Sequence, residues 1–276
     1  MSGGLQRRSG PAGVALTGAA LAVAVVLALP AMAGAKRYAS LGDSYSSGVG
    51  TREYYEASGS CKRGPKAYPK LVNYRLDRVT GRNVRHEFVA CGGAKTGDVL
   101  RSQLGPLNRN TRWVTISIGG NDAGFSGVVR ECAKPEWASS CDTAVKRARR
   151  FISNTLPGRL RQVYRAIRRR TPRGAKLLAV GYPRLFNGED CNAGTWFDSD
   201  DMSMLNGAAN LLARVQRRRA RRSGFQYLDV RRAFRGHAVC DDVEWINGLS
   251  WPTGESYHPN VRGHRAYARL VMRRFR

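Results

Sequence analysis

Hydrophobic and polar positions change their period several times along this 276-residue chain. Residues 14–29 form an unbroken small and apolar stretch. From Lys36 onward, short apolar or β-branched runs alternate with longer stretches of helical spacing. The runs at 38–41, 84–90, 113–118, 176–180 and 225–230 predict strands. Helical spacing predicts helices over 67–79, 96–104, 121–132, 143–170, 203–222 and 259–274. Thr96 reads as an N-cap and Pro259 as a first-turn proline. Pro157-Gly158 should kink or split the longest helix. The strand–helix alternation predicts an α/β fold, a parallel sheet covered on both faces. No Pro/Gly/Ser linker or internal repeat divides it, so one domain is the simplest description.

The N-terminus has a different character. Arg7 and Arg8 precede the apolar stretch, Pro30 ends it, and Ala31-Met32-Ala33 and Ala33-Gly34-Ala35 offer small-x-small cleavage positions. This predicts a secretion signal over 1–35, followed by a secreted domain over 36–276. A buried N-terminal helix or an anchor is the competing reading. It fits less well with a strand that begins so abruptly after Lys36. No other segment is apolar enough to span a bilayer. The six cysteines, Cys61, Cys91, Cys132, Cys141, Cys191 and Cys240, all follow residue 36. An even number in an exported chain predicts three disulfides. Six cysteines allow fifteen pairings; pairing in sequence order is favoured, because Cys132 and Cys141 flank a short loop. No C-x-x-C pair or neighbouring His offers a metal set, so no metal or other cofactor is expected. Asp198, Asp200 and Asp201 are the nearest thing to an ion site, and a solvated helix start explains them as well.

Charge adds one question. Lys plus Arg is 47 against 20 Asp plus Glu, a net +27. Runs at 146–150, 168–170 and 217–222 supply much of it. Such a surface attracts polyanions: phospholipid headgroups, acidic cell-wall polymers or nucleic acid. The runs lie in helical segments without interleaved aromatics, so solvated helix faces account for them equally. No nucleic-acid reading motif accompanies them, and no specific nucleic-acid partner is expected.

Candidate chemistry gathers where predicted strands end, the place where open parallel sheets bind ligands. Gly42-Asp43-Ser44 follows the first strand, so Ser44 is either an exposed nucleophile or a helix N-cap. Cys91-Gly92-Gly93 can turn backbone N–H groups into a cleft, although paired glycines mark many turns. Gly119-Gly120-Asn121-Asp122 offers an amide donor or another cap. A serine nucleophile needs a base. Of four histidines, His86 lies mid-strand, His264 lies in a helix between arginines and reads as solvated, and His237 sits in a loop near Cys240. His258 stands in a loop at a helix start and is the best-placed base. The long loops 50–65 and 186–200 are expected to shape a substrate mouth. No full G-x-S-x-G elbow exists, which excludes the common α/β-hydrolase motif.

These blocks, Gly42-Asp43-Ser44, Gly92-Gly93, Gly119-Gly120-Asn121-Asp122 and His258-Pro259, resemble in order and spacing those of the SGNH (GDSL-type) hydrolases. The strings ASLGDSYSSG at 39–48, IGGNDAGF at 118–125, GYPR at 181–184 and SYHP at 256–259 look like the secreted actinobacterial lipase and esterase branch. The cysteine layout matches that branch, whose bonds run in sequence order. The resemblance covers nearly all of 38–276. It implies a three-layer α/β/α sandwich with a five-stranded parallel sheet, the flavodoxin-like arrangement of this family. It also implies Ser44 as nucleophile, His258 as general base, and an oxyanion hole of the Ser44 and Gly93 backbone N–H groups with the Asn121 side chain. Where most of the family has Asp three residues before the His, this chain has Glu255. Glu255 is therefore a candidate third member, with the Ser256 carbonyl as its alternative. The expected activity is hydrolysis of carboxylic esters of lipids or small acyl groups, phospholipase A type included, by a monomer that needs no cofactor. A carbohydrate acetyl esterase, or a basic protein binding anionic polymer or membrane with an incidental hydrolase site, are the alternatives.

Overall fold

Five parallel strands form one sheet in the order β2-β1-β3-β4-β5, where β1 is Arg37–Gly42, β2 Arg85–Phe88, β3 Thr111–Ser117, β4 Lys176–Val180 and β5 Gln226–Leu228. The computed structural model describes residues 1–4, 9, 10, 35–81 and 83–276. Most of the expected signal segment, with Arg7, Arg8, the 14–29 stretch and residues 31–34 of the cleavage positions, lies outside the described residues. From Gly34 to Arg276 the chain forms one compact unit.

Alternation along each strand explains why both faces are covered. Tyr38 of β1 and Leu178 and Val180 of β4 face one core. Ala39 and Leu41, then Leu177 and Ala179, face the other. Helices α2 (Tyr68–Thr80) and α8 (Val261–Phe275) cover the first face through Val72, Leu76, Tyr267 and Val271. Helix α6 (Leu156–Arg170) and the later half of α7 (Ser199–Arg222) cover the second through Leu160, Val163, Ile167 and Leu212. This is the expected three-layer α/β/α sandwich. The remaining α-helices among the described residues are α1 (Ser44–Ser47), α3 (Thr96–Asp98, continued by a π-type turn over Val99–Gln103), α4 (Phe125–Cys132) and α5 (Cys141–Asn154).

Element boundaries depart from the hydrophobic pattern where capping intervenes. The long predicted helix splits at Thr155, which leaves Pro157 in the first turn of α6, where its missing N–H costs nothing. Helix α8 starts at Val261 and not at Pro259: Asn260 is its N-cap, its Oδ1 accepting from the N–H groups of Arg262 and Gly263. Thr96 is the first helical residue of α3, with Lys95 at the cap position; the Thr96 hydroxyl turns instead to Asp122 at 2.5 Å. Residues 121–124 are spent in a turn, and α4 begins only at Phe125. Asp198 caps α7 by accepting from the Asp201 N–H at 2.7 Å, with Asp200 and Asp201 in its first turn.

Three disulfides join Cys61 to Cys91, Cys132 to Cys141 and Cys191 to Cys240, the sequence-order pairing. The first holds the loop after α1 against the end of β2, and the Gly92 N–H adds a bond to the Cys61 carbonyl at 2.9 Å. The loop it closes spans 30 residues, so replacing both cysteines by serine should lower stability by about 3–4 kcal/mol in the chain-entropy picture. Urea unfolding of the double variant measures it. A loss well below 1 kcal/mol would mean that the hydrogen bonds alone hold this loop.

Candidate active site

The strand order reverses between β1 and β3, and Ser44 and Asn121 follow the ends of those two strands. Strand β1 ends at Gly42 with φ 116°, and a Cβ there would lie 2.1 Å from the Ser117 carbonyl oxygen. Only glycine lets the chain turn this close to β3. Asp43 then caps α1, its Oδ1 accepting from the Tyr45 N–H at 3.1 Å, while its own N–H donates to the Ser117 carbonyl at 2.9 Å. Because Asp43 is the cap, the Ser44 hydroxyl is left free to face the loop before α8. There it meets His258 Nε2 at 2.8 Å.

His258 comes from a loop held by backbone pairing around Asn247. The Asn247 N–H donates to the His258 carbonyl and the Tyr257 N–H to the Asn247 carbonyl, both at 2.9 Å. His258 Nδ1 lies 2.8 Å from the Ser256 carbonyl oxygen. A carbonyl can only accept, so Nδ1 carries the proton and Nε2 presents its lone pair to the Ser44 hydroxyl. Burial lowers the His258 pKa to about 4; the Ser256 carbonyl and the Glu255 charge pull it up, and Lys62 pushes it down. The imidazole is therefore a neutral base at ordinary pH.

Glu255 does not meet the imidazole as a third member through any hydrogen bond. Its Oε2 accepts from the Gly50 N–H at 2.7 Å and from the Tyr54 hydroxyl, and its Oε1 from Lys62 Nζ at 3.0 Å. Burial raises its pKa, but these bonds outweigh it and leave the carboxylate below its ordinary range. Gly50 has φ 98°, and a Cβ there would lie 2.5 Å from the Pro259 carbonyl oxygen. Loop 50–65 thus clamps the histidine loop from outside and does not line a mouth.

The expected anion donors come from three turns. The Ser44 N–H opens α1, and the Gly93 N–H lies between the Gly92 and Ala94 N–H groups, which donate to Cys61 and Cys91. Among the described residues, neither the Ser44 nor the Gly93 N–H has an acceptor. The Asn121 amide donates one hydrogen to the Ala94 carbonyl at 3.2 Å and keeps a second. Asp122 fastens the two turns together by accepting from the Thr96 N–H at 2.9 Å as well as from its hydroxyl.

Tyr182, the second residue after β4, was not singled out by its own chemistry. Its hydroxyl donates to Asp43 Oδ2 and accepts from the Gly120 N–H at 3.3 Å, linking the ends of β1, β3 and β4. Burial raises the Asp43 pKa to about 7 against these hydrogen bonds, with Asp122 pushing the same way as burial. Tyr45 adds a bond from its hydroxyl to the Tyr257 carbonyl at 2.8 Å. Its place at a strand end and in the GYPR string at 181–184 were the signals that could have flagged it. The other histidines are elsewhere. His86 contacts Ser40 on the edge strand, and His237 stacks on Trp245. His264 is fully buried and accepts from the Tyr68 N–H at 3.1 Å, which corrects the solvated reading: its helix face packs on α2 although arginines flank it in sequence.

A groove of about 570 Å³ opens beside His258 and Tyr257. Its apolar walls include Phe125, Val129, Leu185, Trp196 and Leu249, with Arg130 and Lys134 among them. Loop 186–200 contributes Gly194 to Trp196, as expected of a mouth. Among the described residues, the two groups with ligand-like spacing are built on Cys132–Cys141 with Asp201 and Cys191–Cys240 with Glu244. Their sulfurs are in disulfides and supply no thiolate. A hydroxyl facing a neutral imidazole, beside unpaired donors, can carry acyl transfer without a metal.

The model of the GDSL-like lipase/acylhydrolase family matches residues 40–266. Lipase 1 of Streptomyces coelicolor is 43% identical over 254 residues, covering 91% of this chain and 89% of the relative. Two solved structures, an extracellular lipase from Streptomyces rimosus and phospholipase A1 from Streptomyces albidoflavus NA297, superpose with TM-scores of 0.78 and 0.79. Each is 40% identical and matches 87% of this chain and 99% of its own. The chain belongs to the GDSL-like lipase/acylhydrolase family and is a carboxylic ester hydrolase.

Proposed function

We propose that this chain is an exported lipase in which Ser44 is the nucleophile and His258 the general base. The observation that carries the reading is the 2.8 Å contact between Ser44 Oγ and His258 Nε2, with Nδ1 anchored on a carbonyl. Ser44 Oγ attacks the ester carbonyl carbon while Nε2 takes its proton. The N–H groups of Ser44 and Gly93 and the Asn121 amide receive the developing oxyanion. The tetrahedral intermediate collapses, the imidazolium returns its proton to the leaving alkoxide, and an acyl-Ser44 remains. Water, deprotonated by Nε2, attacks that ester by the same route and releases the acid. The Ser256 carbonyl serves as the orienting acceptor, and Glu255 acts at a distance through its charge.

The apolar groove beside His258 supports an acyl chain as the substrate portion bound, more than an acetylated sugar. Likeness to a phospholipase A1 supports phospholipids among the substrates. Three disulfides and likeness to an extracellular lipase support secretion. A p-nitrophenyl ester series of rising chain length, with phospholipid and acetylated sugar alongside, tests the class; preference for acetylated sugar would overturn the lipase reading.

Ser44→Ala should abolish turnover while leaving the unfolding curve intact. Asn121→Ala should cost about 10²–10³ in kcat, the usual effect of one oxyanion donor. An unchanged kcat would reduce Asn121 to a tie between turns. Glu255→Gln separates a dyad from a triad. Loss of the orienting acid in a triad costs about 10⁴ in kcat, whereas here the loss should stay within roughly tenfold of wild type. For pH, protonation of His258 removes the base, so activity falls on the acid side only. With the pKa lowered to about 4, kcat/KM on a soluble ester should stay level from neutral pH to about pH 5 and then decline. A midpoint near the ordinary value of about 6.5 would contradict the desolvated base.

A further inference from the structure

We propose that the loops around the groove form a docking surface for an anionic phospholipid bilayer, seating the groove against the lipid; this rests on the lipase reading. Three of the five tryptophans are exposed, Trp137 at 89%, Trp251 at 84% and Trp196 at 56%, with Leu249 at 39%. All four belong to three loops that edge one groove. Trp196 and Leu249 line it; Trp137 lies two residues after Pro135, and Trp251 two residues from both Leu249 and Thr253, which also line it. The loops are tied to one another. The Trp196 N–H donates to the Ala133 carbonyl at 3.2 Å, and a Cβ at Gly194 would sit 3.5 Å from the Leu249 side chain.

Single exposed apolar residues need no explanation, but several bulky ones around one opening do. Tryptophan suits the bilayer boundary because its ring is apolar and its N–H stays in the wet headgroup layer. Charge selects the kind of bilayer. Arg130 lines the same groove and, among the described residues, has no carboxylate partner; Lys134 lines it too and pairs with Glu131 at 2.6 Å.

Two of the three basic runs, and the basic end of α8, face elsewhere. Residues 168–170 and 219–222 close α6 and α7, just before β4 and β5 begin, and Arg273 and Arg274 close α8, whose Phe275 carbonyl accepts from Lys176 at the start of β4 at 2.5 Å. They therefore occupy the edge where strands start, and the catalytic candidates occupy the edge where strands end. A bilayer held by those arginines would face away from the groove.

The test uses Ser44→Ala protein, which does not digest the probe, and vesicles of phosphatidylglycerol and phosphatidylcholine containing brominated lipid. Tryptophan emission should be quenched on binding, and Trp137→Ser with Trp251→Ser should weaken binding at least about tenfold, given the area of two indoles. The same pair of substitutions with Ser44 intact should leave turnover of a soluble short-chain ester unchanged, which also shows that the variant folds. Replacement of Arg168, Arg169 and Arg170 by serine should leave the quenching in place. Binding within twofold of the parent after the tryptophan substitutions, binding lost only with the arginine substitutions, or no vesicle binding would overturn the proposal. Failure of the Ser44 reading shows separately, as soluble-ester turnover that survives Ser44→Ala.

Discussion

The imidazole of His258 is held between two oxygen atoms, the Ser44 hydroxyl and the Ser256 carbonyl. In the neutral ring, one nitrogen donates to a group that only accepts and the other keeps its lone pair for the serine hydroxyl. Burial enforces that state by disfavouring the charged form. The rest of the edge is arranged around this contact. Gly42 lets β1 turn against β3, Asp43 takes the capping role that would otherwise occupy the serine, and the Asn247 pairings keep the histidine loop in register.

Carboxylates around the site act by position more than by contact with the base. Glu255 is spent on Gly50, Tyr54 and Lys62, which fixes the loop bearing the histidine and leaves one negative charge close enough to favour an imidazolium. Asp43 is spent on the Tyr45 N–H and the Tyr182 hydroxyl. Asp122 is spent on Thr96 and carries an ion pair with Arg159 at 3.3 Å. Each therefore ties one strand-end turn to another, and the donors proposed for the oxyanion are positioned by acids that do no chemistry themselves.

Charge is divided by polarity of the fold. In a parallel sheet with crossover helices, a helix that leads into the next strand returns its C-terminus to the edge where strands begin. Cations are favoured at that end of a helix, where the carbonyl dipoles point outward. The basic last turns of α6, α7 and α8 follow this rule and supply eight of the 47 basic residues without reference to substrate. Exposed aromatic surface, Trp137, Trp196 and Trp251, collects in the loops around the groove.

The chain's own pattern determined a good deal: five strands, an alternation that requires a sheet covered on both faces, and three polar blocks at strand ends with a fourth before the last helix, in a recognisable order. These are local properties, set by side-chain period and by glycine at turns, so they survive in one dimension. The short loop between Cys132 and Cys141 favoured one disulfide; the other four cysteines still allowed three pairings, and the full sequence-order set was what the family resemblance implied. Tertiary structure alone decided the partner of His258 Nδ1, the diversion of Glu255 to Gly50, Tyr54 and Lys62, the burial of His264 against α2, and the meeting of Tyr182 with Asp43. Each of these depends on which of several nearby acceptors a side chain reaches. Residues separated by as many as 214 positions come within hydrogen-bond distance only when the sheet is assembled, and no local period records that distance.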